Sequence, residues 1–141
     1  MADSVVSTRD YAKHHVSTKK INDHFGEGYH YEVTYTGNNL PVLVQSFYVY
    51  PTKDYVLTDF TLESTSEMAS NYMAPVNVDR MPEVLNQGEN NRALFIPFDN
   101  DCWIRYQSHP LTFTELTSYE VTAIFNNDDR EAMVILSLIH I

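Results

Sequence analysis

Short apolar runs separated by turn-forming residues are the feature that most constrains how this chain can fold. The runs are rich in Val, Ile, Tyr, Phe and Thr, and clusters of Gly, Asn, Asp and Pro lie between them. β-Branched and aromatic residues favour strands, whereas the residues between the runs favour turns. Helical periodicity is nearly absent. The pattern predicts an all-β chain folded as an antiparallel β-sandwich, not alternating α/β units.

The runs also predict where the strands and turns lie. Strands are expected at residues 31–35, 42–50, 55–62, 73–78, 93–97, 103–107, 118–125 and 132–135. Hairpin turns are expected at 36–39 and 126–129, where Gly, Asn and Asp tolerate a positive φ, and Gly26-Glu27-Gly28 predicts a hairpin bend. Within one strand, a period of two predicts a core face made of Val56, Thr58, Phe60 and Leu62.

Length and charge limit the classes of function. At 141 residues the chain has room for one ordinary domain with a real core, but not for a barrel enzyme. The formal net charge of −10 and the scattered basic residues exclude nucleic acid as a partner. No stretch has the length of a membrane span, so no membrane partner is expected. An acidic, Tyr-rich surface suits a sugar ligand and equally suits plain solubility.

Cys102 is the only cysteine, so an internal disulfide and a Cys-rich metal site are both excluded. We expect no metal and no cofactor. Residues 1–11 lack the basic start and apolar run of a signal peptide. If the chain is a fragment of a longer parent protein, the cellular location of that parent stays open, with secretion or export to the periplasm as one alternative.

The most informative stretch, residues 94–106, combines an apolar strand, an acidic turn and a second strand that carries the sole Trp. Aromatic faces bind the apolar side of a sugar ring, and Asp and Asn side chains bond its hydroxyls. We therefore predict that Asp99, Asn100, Asp101 and Trp103 face sugar. The alternative is a hairpin with an Asx-capped turn and a core Trp.

The same acidic corner does not suit catalysis or metal binding. Asp99 and Asp101 would point the same way from a strand, whereas glycoside hydrolysis needs two carboxyl groups across a substrate. A calcium loop would also need a glycine and a distant Glu, which are missing. His14 and His15 are adjacent, so they lie on opposite faces of an extended strand. The sequence predicts no catalytic residues and no metal site.

The last six residues, Leu136-Ser137-Leu138-Ile139-His140-Ile141, resemble the in-frame translation of the mosaic end of a widely used sequencing-transposon adapter. This resemblance indicates a non-native tail at 136–141, and a native β-strand is the alternative. Residues 132–141 form an unbroken run with little charge and no Pro. Such a run pairs edge to edge with other chains, so we expect poor solubility.

Three segments carry a resemblance to a known family. They are Gln45-Ser46-Phe47-Tyr48-Val49-Tyr50-Pro51 with Asp54-Tyr55, then Ser70-Asn71-Tyr72-Met73-Ala74-Pro75-Val76, and finally residues 95–106 with Ser118-Tyr119-Glu120-Val121-Thr122-Ala123-Ile124-Phe125. Across 29–135 the chain resembles the N-terminal β-sandwich domain of bacterial α-galactosidase-like glycoside hydrolases, relatives of melibiase and raffinose synthase. The third segment is the most specific.

The resemblance implies a supersandwich placed before a (β/α)-barrel whose strands carry two catalytic Asp residues, none of which is present here. We therefore expect 1–135 to be a partial, incomplete sandwich domain, inactive alone. It would support the missing catalytic barrel and contribute to a pocket for a galactose-containing oligosaccharide. The alternative is a free-standing carbohydrate-binding or surface-interaction sandwich with no enzyme attached, and a third hypothesis is a purely structural interaction module.

Overall fold

The structure is a computed structural model that describes residues 5–70, 72–77, 85, 90–97, 106–112, 117–119 and 121–137. The chain divides into two compact units, Met1–Asn77 and Val78–Ile141. Each unit contains one four-stranded antiparallel sheet. The only helix among the described residues is one short 3-10 segment, Thr8–Asp10. The predicted fold class, all-β with antiparallel, sandwich-like sheets, is confirmed.

The sheet of the first unit is a meander of consecutive strands. They are β1 (Lys13–Asp23), β2 (Gly26–Thr36), β3 (Val42–Val49) and β4 (Val56–Glu63), in the spatial order β1-β2-β3-β4. Each strand therefore pairs with its neighbours in sequence, and β1 and β4 form the two edges of this sheet.

The turn between β1 and β2 is set by two residues with specific backbone chemistry. The Asp23 carboxylate accepts a hydrogen bond from the backbone N–H of Phe25 at 2.8 Å, which closes an Asx-type turn. Gly26 then adopts a φ of +114°, which a residue with a Cβ rarely adopts. A hairpin bend was predicted at Gly26-Glu27-Gly28, but the turn lies just before it, at His24 and Phe25, and these three residues begin β2.

The two turns predicted from Asn-rich segments are confirmed. Asn39, with a φ of +60°, lies in the turn between β2 and β3. Asn126 ends β7, and its side-chain oxygen accepts from the backbone N–H groups of Asp128 at 2.8 Å and Asp129 at 3.2 Å. Arg130, with a φ of +56°, completes that turn. Both turns follow from residues that tolerate the left-handed region or bond their own backbone.

Tyrosines hold much of the core of the first unit. The ring of Tyr50 is 1 % exposed, and its hydroxyl donates to the Asp23 carboxylate at 2.7 Å. Tyr11 is buried and donates to the backbone oxygen of Pro41 at 2.9 Å. Each bond joins segments about thirty residues apart in sequence, so these two side chains fix the ends of the sheet to their neighbours.

The second unit contains β5 (Asn91–Phe95), β6 (Gln107–Pro110), β7 (Val121–Asn126) and β8 (Glu131–Leu136), in the order β6-β5-β7-β8. Ala93 is buried on the central strand β5. The buried Asn126 donates to the side-chain oxygen of Asn91 at 2.9 Å, which links the two side-chain amides at the end of the β5–β7 pair.

Apart from shifted strand ends, the structure differs from the predicted strands at three places. β1 was not predicted, although it pairs with β2 along its whole length. The strand predicted at 73–78 is wrong, because residues 73–77 form no strand. Of the strand predicted at 103–107, residues 103–105 lie outside the described part of the chain, and β6 begins only at Gln107.

Alternation along β4 partly follows the predicted core face. Thr58, Phe60 and Leu62 are half-buried, while Val56 is exposed at the end of the strand.

No helix in the described part of the chain is long and apolar enough to cross a bilayer. The predicted division into a partial domain at 1–135 and a tail at 136–141 stays a prediction.

Candidate functional site

The predicted sugar-facing residues, Asp99, Asn100, Asp101 and Trp103, all lie outside the described residues. Their assignment therefore stays a prediction. The segment that holds them connects β5 to β6, which are hydrogen-bonded antiparallel neighbours.

Ser118 holds the described end of this connection next to β7. The Ile96 backbone N–H donates to the Ser118 hydroxyl at 2.9 Å, and that hydroxyl donates to the backbone oxygen of Val121 at 3.1 Å. Tyr119 donates from its backbone to the Ile96 oxygen at 3.0 Å. The backbone N–H and C=O of Ile96, the first residue beyond β5, are therefore both hydrogen-bonded.

One face of the first sheet collects most of its aromatic residues, and we name it the tyrosine face. Opposed residues in an antiparallel sheet share a face, and successive residues alternate. The register therefore places on it His14, Val16, Thr18 and Lys20 of β1, Tyr29, Tyr31, Val33 and Tyr35 of β2, Leu43, Gln45, Phe47 and Val49 of β3, and Val56, Thr58, Phe60 and Leu62 of β4.

Tyr29 and Tyr31 are the two rings of this face that are open to a ligand. Their side chains are 36 % and 37 % exposed, with ring centroids 6.3 Å apart and planes tilted by 35°. Tyr35 differs, because the rings of Tyr11 and His14 pack on it at 5.9 and 6.4 Å. The Tyr29–Tyr31 pair is therefore an aromatic platform at one end of the tyrosine face.

Groups that can hydrogen-bond a ligand flank this platform. On β1, Lys20 lies opposite Tyr29 and Thr18 lies opposite Tyr31, and both are exposed. None of the residues assigned above to the tyrosine face is acidic, although the exposed Glu27 follows on the same face beyond Tyr29. The platform therefore offers flat apolar area with donors along one side.

The opposite face of the sheet is polar at its centre. His30 of β2 stacks on Tyr48 of β3, with ring centroids 4.6 Å apart and planes at 7°. In the next row, Ser46 lies between Glu32 and Asp59 and is buried. Burial and the neighbouring Asp59 carboxylate raise the pKa of Tyr48, so its hydroxyl stays protonated and can donate a hydrogen bond.

This polar cluster lacks the parts of a catalytic or metal site within the described residues. The Nε2 atom of His30 is buried and has no hydrogen-bond partner in the described part of the chain. No group of three or more His, Cys, Asp and Glu residues there could hold a metal ion. The cluster supplies hydrogen-bonding side chains, and nothing in its geometry activates a nucleophile.

Asp23 and Tyr50 form a pair of titratable groups that shift each other's pKa. The hydrogen bond from Tyr50 lowers the pKa of the Asp23 carboxyl, and burial together with that carboxylate raises the pKa of Tyr50 to about 12. Phe25 and Tyr55 pack near the Tyr50 ring at 5.7 and 6.3 Å. The pair joins the β1–β2 turn to the end of β3, which is a structural role.

An open cleft of about 560 Å³ lies beside the β2–β3 turn. It is lined by Asn39, Leu40, Pro41, Val42, Glu63, Ser64, Thr65, Ser66 and Met68. The hydroxyls of Ser64 and Ser66 bond each other at 3.1 Å, so part of the polar lining is already used. The cleft is a weaker candidate than the aromatic platform.

Sequence reasoning missed Tyr29 and Tyr31 as candidate ligand contacts. A signal was present, because tyrosines alternate with polar residues in Tyr29-His30-Tyr31-Glu32. A period of two places both rings on one face, but only the pairing with β1 shows what lies beside them.

In searches for related proteins, no family model, no curated protein and no solved structure matches this chain.

Proposed function

We propose that this chain is a non-catalytic, carbohydrate-binding β-sheet module, the accessory sandwich part of an α-galactosidase-like glycoside hydrolase. The observation that carries the binding function is the exposed Tyr29–Tyr31 platform on β2. In the intact protein the module would support the catalytic barrel and contribute to the pocket for a galactose-containing oligosaccharide.

The chemistry of the platform suits a hexose ring. One side of a galactose ring presents mainly C–H groups, which pack on an aromatic face, while its hydroxyls need donors and acceptors at the edge. The two tyrosine rings supply that face, and their own hydroxyls, with Thr18 and Lys20, supply edge contacts. Catalysis belongs to the barrel of the parent protein in this proposal.

A second candidate function is a structural interaction module, in line with the alternative of a free-standing sandwich. The observation that favours it is the number of exposed apolar side chains on the tyrosine face, among them Val16 and Val56. Exposed apolar patches often mark protein contact sites. Sugar binding separates the two functions, because an interaction module has no affinity for galactosides.

The test is affinity electrophoresis in gels that contain a galactose-based polysaccharide. We expect the chain to be retarded, and Tyr29→Ala and Tyr31→Ala each to weaken binding by roughly fivefold, since one aromatic contact contributes about 1 kcal/mol. Tyr72→Ala is the matched control, because Tyr72 is 80 % exposed but lies outside both sheets.

Absence of retardation for the unaltered chain in every galactose- or glucose-based gel would contradict the binding function. If both tyrosine variants are retarded as strongly as the unaltered chain, the sugar-binding site lies elsewhere in the protein. In that case the next variants are Asp101→Ala and Trp103→Ala in the intact parent enzyme, where a loss of galactoside hydrolysis would support the acidic corner.

A further inference from the structure

The two sheets end in four edge strands, and three of them carry protection against pairing with other chains. Edge strands expose unpaired N–H and C=O groups, which charged residues, proline or short length keep from pairing. β1 carries Lys13, Lys19 and Lys20, and β4 carries Asp59 and Glu63. β6 is only four residues long and ends at Pro110.

β8 is the edge without such protection. It lies at the end of the order β6-β5-β7-β8, and no described strand lies on its outer side. Its one charged residue is Glu131, at its first position. Val134, Ile135 and Leu136 are 63 %, 51 % and 59 % exposed, and alternation directs them to both faces of the sheet. Val134 and Ile135 also precede the tail predicted at 136–141.

We propose that β8 pairs antiparallel with β8 of a second copy of this chain about a two-fold axis. The two second-unit sheets then form one continuous sheet. This inference does not depend on the proposed carbohydrate function.

The uncharged part of β8 is a place where a second copy can approach this acidic chain against little local repulsion. Each chain has a net charge of −10, so two copies repel each other wherever acidic residues meet. Residues 132–136 carry no charge, so β8 meets its own copy without opposing two carboxylates across its centre. A two-fold pairing is also self-complementary and closed, since each partner covers the exposed edge of the other.

The test is the mass in solution, measured by light scattering coupled to size exclusion. We expect a dimer of twice the 16.3 kDa chain mass. Val134→Lys and Ile135→Lys, which place a charge on opposite faces of β8, should each return the chain to a monomer. Both variants reduce the net negative charge, so stronger overall repulsion cannot explain the loss of the dimer.

Val16→Lys is the matched control, because Val16 is an exposed valine on the protected edge strand β1 and its variant should remain a dimer. Circular dichroism checks that each variant keeps its strands, and concentration-dependent protection of the β8 amides in hydrogen exchange reports the pairing in the unaltered chain. A monomer at all concentrations, an open series of larger aggregates, or a dimer that both β8 variants retain would each overturn the proposal.

Discussion

Gly28 of β2 lies where the ring of Tyr50 packs closest to the backbone. A Cβ at this position would be 2.7 Å from Cδ1 of Tyr50 and 2.7 Å from the backbone oxygen of Val49. The Tyr50 ring is held by its bond to Asp23 and by burial, and the Val49 oxygen belongs to the paired strand β3. Neither neighbour can move freely, so the position requires the absence of a side chain.

We predict that Gly28→Ala lowers the free energy of unfolding by about 1–3 kcal/mol, the usual cost of overpacking a well-filled site. Urea unfolding followed by circular dichroism measures this loss. Glu27→Ala is the control, because Glu27 is exposed on the same strand and its removal should change stability by less than about 0.5 kcal/mol. Equal stability of the two variants would mean that Tyr50 can shift at no cost.

At the residue scale, the sequence predicts turn chemistry well and distant contacts poorly. Asn39 and Asn126 act through their own backbone, so the local pattern was sufficient to place their turns. The bond from Tyr50 to Asp23 spans 27 positions and depends on the register of three strands. The Tyr29–Tyr31 platform was missed for the same reason, since its neighbours come from β1.

At the element scale, β1 shows the limit of hydrophobic periodicity. Its sequence, Lys-His-His-Val-Ser-Thr-Lys-Lys-Ile-Asn-Asp, has no regular apolar alternation, and nearly all of its side chains are exposed. It is a strand because β2 offers eleven paired positions, so tertiary pairing outweighs weak propensity. Residues 73–77 show the opposite case, because their apolar composition predicted a strand and they form none. Pro75 lies in the middle of this segment and has no N–H to donate to a ladder.

The β1–β2 hairpin and the end of β3 should separate at both extremes of pH. The folded-state pKa of Asp23 is lowered, so its contribution to stability is present above the unfolded value near 3.8 and is lost as the pH falls further. The pKa of Tyr50 is raised to about 12, so its contribution is present below pH 10 and is lost between pH 10 and 12.

We therefore predict that Tyr50→Phe removes the part of the stability loss at alkaline pH that comes from the Asp23–Tyr50 bond. Asp23→Asn should reduce the stability loss at acid pH. Urea midpoints measured from pH 2 to 12 give the difference between each variant and the unaltered chain. Tyr72→Phe serves as the control, because Tyr72 is exposed and belongs to no strand. If Tyr50→Phe keeps the full alkaline loss, the Asp23–Tyr50 bond does not hold the hairpin.

At the scale of the whole molecule, the fold class was predictable because strand composition and turn residues are repeated along the entire chain. The division into two units, each with its own four-stranded sheet, was not predictable, since it depends on which strands pair. Charge is the other property of the whole chain, and at −10 it acts on every encounter between two copies. The resulting repulsion opposes β8 pairing.

We predict that salt strengthens the β8 dimer. Raising the ionic strength from 0.01 to 0.15 M shortens the Debye length from about 30 Å to about 8 Å, which screens the repulsion between two acidic chains. The apolar contacts and backbone hydrogen bonds of the paired edge lose little under the same change, so the dissociation constant should fall. Sedimentation equilibrium at the two ionic strengths measures the shift. A dimer that dissociates as salt is added would be held by ion pairs, and the uncharged edge at 132–136 could not be its interface.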